Sequence, residues 1–162
     1  MKKTGFTLVE ILIVVIILGI LAAIVIPQFT SASESAKESN LKSDLLTLRN
    51  QCELYRVQHG DQYPWEVVGH DNEEVIKQLT TPTNTLGEYA ESDEGGKLKF
   101  GPYLERMPTN LFVQATGGAG DKFDFQDGKD GLGSAFGWYV DKETNKIYAN
   151  SPEEKYSEHW DF

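Results

Sequence analysis

A single cysteine, Cys52, excludes any intramolecular disulfide in this 162-residue chain. A domain of this kind outside the cytoplasm relies on its core, on oligomerisation or on a metal. Catalytic signatures are missing too. His59, His70 and His159 are isolated, and there is no H-E-x-x-H, G-x-S-x-G or C-x-x-C. Gly117-Gly118-Ala119-Gly120 lacks the Lys-Ser/Thr of a phosphate loop and has no apolar strand before it. The histidines read as exposed and the glycines as turns. Nothing singles out two carboxylates for acid–base work, so no enzyme is expected. Basic residues are scarce where they would matter: residues 57–162 hold 20 acids against nine bases, a net charge of −11. That excess disfavours nucleic acid as a partner, because phosphate contacts need clustered Lys and Arg.

What the chain does have is one extreme apolar run. From Ile11 to Ile26 there is no polar side chain. Residues 6–26 as a helix span roughly 32 Å at about 1.5 Å per residue, enough to cross a hydrocarbon core of about 30 Å. Lys2 and Lys3 precede the run and no comparable basic cluster follows, which orients the N-terminus to the cytoplasm and sends the acidic part across the membrane. A secretory signal ending at Ala22-Ala23 fits less well. The run is too long, it contains Glu10 near its start, and it continues through Pro27 into a helical pattern. An acid in a membrane helix costs about 2.5–3.5 kcal/mol at the helix centre, so Glu10 needs a partner.

The string Lys2-Lys3-Thr4-Gly5-Phe6-Thr7-Leu8-Val9-Glu10, followed by an unbroken apolar run ending in Ile26-Pro27, resembles the cleavage and methylation site of type IV pilins and type II secretion pseudopilins. The resemblance covers about the first 30 residues. It implies that a prepilin peptidase cuts between Gly5 and Phe6, and that the new Phe6 amine is N-methylated. Glycine at the scissile position lets a protease approach the backbone closely. In a filament of staggered helices, Glu10 of one subunit meets the Phe6 amine of a neighbour. Such a pair fixes register, and removing one partner typically costs about 3–5 kcal/mol. The resemblance also implies local melting of the helix between Gly19 and Pro27 in the filament; in the unassembled subunit a Pro-kinked, continuous helix is expected.

Beyond a Ser-rich bridge, Leu41, Leu45, Leu48, Cys52 and Tyr55 are spaced by four, three, four and three residues, one face of a helix ending near Gly60. Cys52 on that face reads as buried packing. Residues 71–80 read as a short helix capped by Asp71. Residues 82–100 read as a polar loop. Residues 136–140 and 146–150, linked by polar residues 141–145, read as an antiparallel hairpin. The resulting expectation is an α+β, pilin-like fold with four parts: a leader (1–5), a membrane or filament-core helix (6–27), an amphipathic continuation (28–60) and an acidic periplasmic domain (61–162) with a short antiparallel sheet. The tail from Ser151, with Tyr156, Trp160 and Phe162, is read as able to dock on a neighbour or on the domain itself.

Gly101-Pro102-Tyr103-Leu104 and the turn at Pro108 resemble a segment of major pseudopilins, and the missing cysteine pair favours the same group over adhesive pilins. The expected partners are then other copies in a helical filament, prepilin peptidase, the inner-membrane assembly platform, minor pseudopilins and the inner membrane itself. A type IV pilus subunit serving adhesion, motility or DNA uptake is the alternative. A signal-anchored periplasmic enzyme or binding protein is a more distant one. Asp121, Asp124, Asp127 and Asp130 recur every third residue in a Gly-rich stretch with Ser134 beyond, a donor set suited to calcium. Major pseudopilins bind calcium in a C-terminal loop, but the spacing is not that of an EF-hand and matches no pseudopilin ligand motif. A solvated turn explains the same residues.

Overall fold

A computed structural model describes residues 5–90, 96–115, 117–128 and 135–151. They form α1 (Leu8–Gln58), α2 (Pro64–Val68), α3 (Asn72–Thr80), α4 (Leu111–Ala115), β1 (Ala119–Gln126), β2 (Phe136–Asp141) and β3 (Lys146–Ala149). The chain divides into two compact units, Met1–Ser39 and Asn40–Phe162, with the boundary inside α1. The tail beyond Ser151 lies outside the described residues.

In the first unit the helix continues through Gly19 and Pro27, as expected for the unassembled subunit. Proline supplies no amide hydrogen, so the carbonyl four residues earlier loses its usual donor. Hydroxyls bond back onto the helix nearby: Thr30 Oγ1 donates to the Ile26 carbonyl at 3.2 Å and Ser39 Oγ to the Ser35 carbonyl at 2.9 Å. This back-bonding satisfies the hydroxyls without breaking the helix, though it does not stabilise it. α1 is long and apolar enough to cross a membrane.

The second unit is built on the expected stripe. Leu41, Leu45, Leu48, Cys52 and Tyr55 are all buried and join one cluster with Trp65, Val75, Leu79, Phe123, Trp138, Val140, Ile147 and Ala149. α1 ends in a Schellman motif: Asp61 N–H donates to the Arg56 carbonyl at 2.9 Å while Gly60 takes φ +67°, which glycine adopts without penalty. Asp71 caps α3, its carboxylate accepting from the Glu73 and Glu74 amides at 2.9 and 3.1 Å. Tyr63-Pro64 starts α2, with Pro64 in the first turn and Glu66 reaching back to the Tyr63 amide at 2.7 Å.

The sheet corrects the expectation. β2 and β3 do form an antiparallel hairpin, but β1 pairs with β2 in parallel, giving a mixed sheet of order β1-β2-β3. The stretch read as a Gly-rich loop is largely this strand. Its Phe123 is buried in the core and Phe125 packs against it, alternating with Lys122, Asp124 and Gln126. Parallel pairing is possible because glycines meet where the strands begin. A Cβ on Gly137 would collide with the Gly120 carbonyl, and the register slips between Ala119 and Phe123.

Side chains hold the sheet's surroundings. Asn72 mimics a strand along β1, accepting from the Phe123 amide at 2.7 Å and donating to its carbonyl at 2.9 Å. Arg49 donates twice to the Ile147 carbonyl of β3, at 2.9 and 2.6 Å. Buried Asn110 donates to the carbonyls of Gly137 (3.1 Å) and Asn150 and accepts from the Phe112 amide at 3.0 Å. The Gly101-Pro102-Tyr103-Leu104 segment docks on the end of α3, where the Tyr103 and Leu104 amides both donate to the Leu79 carbonyl at 2.9 Å.

If the parallel register depends on the glycine contact, Gly137→Ala forces β1 and β2 apart. Overpacking of this kind costs about 1–3 kcal/mol. A lowered thermal midpoint is expected, while Gly128→Ala, whose Cβ would meet open space but sits at φ +64°, should cost less. Equal losses at the two positions would refute the register argument.

Candidate assembly site

The residues around the helix start are arranged as a cap. Thr7 precedes the first helical residue. Its amide donates to Glu10 Oε2 at 2.8 Å, its hydroxyl lies 2.7 Å from the same oxygen, and the Glu10 amide lies 3.3 Å from Thr7 Oγ1. This is the reciprocal capping box of a Thr-x-x-Glu sequence, in which two amides otherwise without partners are satisfied together. The charge of Glu10 draws attention away from that role, although the four residues Thr7 to Glu10 spell it out. Both side-chain contacts fall on Oε2, and no bond to Oε1 exists among the described residues.

Gly5 and Phe6 lie just ahead of the cap, in extended chain, and Phe6 is 84% exposed. Lys2 and Lys3 lie outside the described residues. From Leu8 to Phe29 every large aliphatic or aromatic side chain of α1 is exposed, Gly19 and Pro27 included in the same uncovered surface. An apolar surface of this extent demands lipid or other helices. The geometry therefore unites Gly5, Phe6, Thr7 and Glu10 within one turn of helix and its approach, at the end of an apolar rod.

The four aspartates are distributed differently. Asp121 and Asp124 lie on β1, Asp127 follows it and forms an ion pair with Lys142 at 3.3 Å, and Asp130 and Ser134 lie outside the described residues. Among the described residues no group of three or more His, Cys, Asp or Glu side chains could hold a metal ion. Asp141, unnoticed in the sequence, is the buried acid nearby. Its carboxylate accepts from the Thr144 hydroxyl at 2.7 Å and from the Glu143 and Gly128 amides at 3.0 and 3.2 Å. Those bonds, the Thr144 hydroxyl first, hold its carboxyl below the usual range.

Other candidates for chemistry are structural. Burial pushes the Cys52 thiol up, away from the reactive thiolate. His59 corrects the expectation of exposed histidines: it is buried, stacked on Tyr55 at 3.7 Å between ring centroids, and held by the Tyr55 carbonyl at 2.9 Å and Thr83 Oγ1 at 3.0 Å. A carbonyl can only accept, so Nδ1 carries the proton. His70 is exposed, as read, and His159 lies outside the described residues.

A glycine just ahead of a capped helix start, an acid in the first turn and an uncovered apolar helix are the features of a prepilin-type N-terminus. Comparison with known proteins agrees. Residues 1–26 match the model of the prokaryotic N-terminal methylation motif. The type II secretion system core protein G of Vibrio cholerae is 33% identical over 107 residues, 66% of this chain and 64% of that protein. Its counterpart in Aeromonas hydrophila is 29% identical over 135 residues, 80% and 85% of the two chains, and that of Dickeya chrysanthemi 35% over 81 residues, 50% and 51%. No solved structure matches. The chain carries the prokaryotic N-terminal methylation motif and is similar over much of its length to type II secretion core proteins G, spanning 64% of the Vibrio cholerae protein.

The cap and the charge of Glu10 are separable. Glutamine also completes a capping box, so Glu10→Gln should keep the helix start ordered while removing the negative charge. Amide exchange at residues 8–10 of the chain in lipid should match the unsubstituted protein for Glu10→Gln and be faster for Glu10→Ala. Matching protection in the Ala variant would show that the cap carries no weight.

Proposed function

We propose that the chain is a structural, non-catalytic subunit of a type II secretion pseudopilus that supports protein export. It is cut by prepilin peptidase after Gly5, methylated on Phe6 and assembled through α1. Before assembly it is anchored in the inner membrane with its N-terminus cytoplasmic and its acidic domain periplasmic. The platform that extracts it and the minor pseudopilins that start or cap the rod are its further partners. The single observation that carries this reading is the Thr7–Glu10 arrangement at the head of an uncovered apolar helix, one residue beyond Gly5-Phe6. A soluble or merely anchored enzyme has no use for a scissile Gly5-Phe6 bond just ahead of it. The relatives' shared description as secretion core proteins favours export over a surface pilus.

The cap and the intermolecular pair are compatible. Oε2 of Glu10 is occupied by Thr7 of its own chain, which lowers the cost of holding the carboxylate in apolar surroundings. Oε1 remains for the Phe6 ammonium of a neighbouring copy. Cleavage after Gly5 both creates that ammonium and removes Lys2 and Lys3.

Mass spectrometry of the mature chain should find N-methyl-Phe6 at its start, and Glu10→Ala should be processed but absent from filaments. An intact N-terminus carrying Met1 and both lysines in the assembled protein would end this reading.

For calcium, Asp127 beyond the end of β1 is the best placed of the described aspartates, Asp130 lies outside them, and Asp121 and Asp124 on β1 fit less well. Bound calcium would clamp the connection between β1 and β2, a purely structural task. Chelation with EDTA should then lower the thermal midpoint of the purified full-length chain, with recovery on adding calcium but not magnesium. A midpoint indifferent to chelation would exclude the ion.

A further inference from the structure

Between α1 and β3 the second unit carries a hollow of about 620 Å³. Cys52, Tyr63, Ile147 and Tyr148 give it apolar walls, and Arg49 and Lys146 give it two cations. Glu53 at its rim is already matched, by Arg56 at 3.0 Å and by the Tyr63 hydroxyl. A hollow with an excess of positive charge stands out where residues 57–162 carry −11. Its chemistry suits an acidic segment that also bears aromatic side chains.

Residues 152–162 are such a segment. Glu153, Glu154, Glu158 and Asp161 outnumber Lys155, a net −3 with His159 neutral. Ser151-Pro152-Glu153-Glu154 has the residues of a helix start: a serine cap, a proline in the first turn and a glutamate three residues after the serine. Tyr156 and Trp160 follow four residues apart, a spacing that shares one helix face.

The fold delivers this segment to the hollow. β3 runs back along α1, since Asn145 is bonded to Trp65 and Glu66, beyond the end of that helix, and Ile147 to Arg49. Four more residues of extended chain, roughly 13 Å, carry Ser151 about nine helical residues back from Arg49. Ser151 is buried there, and Asn150 is fixed by the Gly137 carbonyl and the Asn110 side chain. A helix over 152–162 is roughly 16 Å long at about 1.5 Å per residue. Returning parallel to α1, it ends level with Arg49 and Cys52.

We infer that residues 152–162 form a short helix seated in this hollow of their own domain, with Tyr156 and Trp160 against its apolar walls and the acids toward Arg49 and Lys146. The segment is tethered a few residues from Ile147, so its binding is intramolecular and needs far less area than a separate partner would. It straps the last strand to α1 in a domain without a disulfide. The inference goes beyond the pseudopilus reading and does not depend on it.

The test is cross-linking in the purified, unassembled full-length chain. Lys146→Cys is combined with His159→Cys and treated with a short bismaleimide; single variants give the background, including any from buried Cys52. Asp121→Cys with His159→Cys is the control, because Asp121 is exposed on β1, at the opposite edge of the sheet. The 146–159 pair should link within one chain, and the link should be lost when Tyr156→Ser and Trp160→Ser are added. Maleimide labelling of Lys146→Cys alone should become about tenfold faster with those two serines, as for a site otherwise open a tenth of the time. Linking no better than in the control, or labelling indifferent to the serines, would overturn the inference. So would links that join isotope-labelled to unlabelled copies in a mixture, which would place the segment on a neighbouring chain. Processing at Phe6 and filament formation are scored separately, so the pseudopilus reading stands or falls on its own.

Discussion

Everything in the first unit depends on how one carboxylate is kept in apolar surroundings. An ionised acid there needs hydrogen bonds or a counter-charge. Glu10 obtains the former from its own chain, because Thr7 stands three residues earlier and presents both an amide and a hydroxyl to the same oxygen. The helix gains too, since its first turn would otherwise expose unpaired amides in a medium that offers no water to bond them. One acid thus starts the helix and stays available through its second oxygen.

The second unit solves a different problem, that of a small domain without disulfides. Its core is assembled around one face of α1, and aromatic residues from three regions complete it: Trp65 of α2, Phe123 of β1 and Trp138 of β2. The two indoles are also tied at their polar ends, Trp65 to Asn145 Oδ1 at 2.7 Å and Trp138 to the Pro108 carbonyl at 2.9 Å. A three-stranded sheet leaves two edges, each a template for unwanted pairing. Asn72 occupies part of one and Arg49 part of the other. Polar side chains that look like surface residues in the sequence are therefore what confines the sheet to three strands.

The elements that could be read from the sequence are those set by local periodicity and capping. The buried face of α1, the Asp71 cap of α3 and the β2–β3 hairpin all follow from neighbours within a few residues. The parallel pairing of β1 with β2 does not, because it depends on Gly120 meeting Gly137. β1 itself was hidden by its surroundings: aspartates at every third position and flanking glycines suggest a loop, while the Phe123–Phe125 alternation is only two residues deep. Asn110, which joins three segments, has no local signature at all. At the helix start, Gly5, Phe6 and Glu10 are the residues that the sequence motif singles out. Thr7 was equally legible as the cap, but a membrane context makes the acid's charge the more conspicuous fact. α2 is too short for periodicity to reveal.

The stretch from Gly19 to Pro27 shows how solvent decides conformation. Relative to alanine, glycine costs a helix about 1 kcal/mol and proline about 3 kcal/mol, so propensity alone does not hold this segment. Its side chains are uncovered, so packing within the subunit does not hold it either. In lipid the balance is reversed, because each backbone group without a partner costs several kcal/mol. A bilayer around this segment would therefore enforce the helix. On the filament reading proposed above, withdrawal from lipid would end that enforcement where the helix is intrinsically weakest. The same residues would then satisfy two requirements in turn: a continuous rod while the subunit waits in the membrane, and an extensible joint once it has been withdrawn.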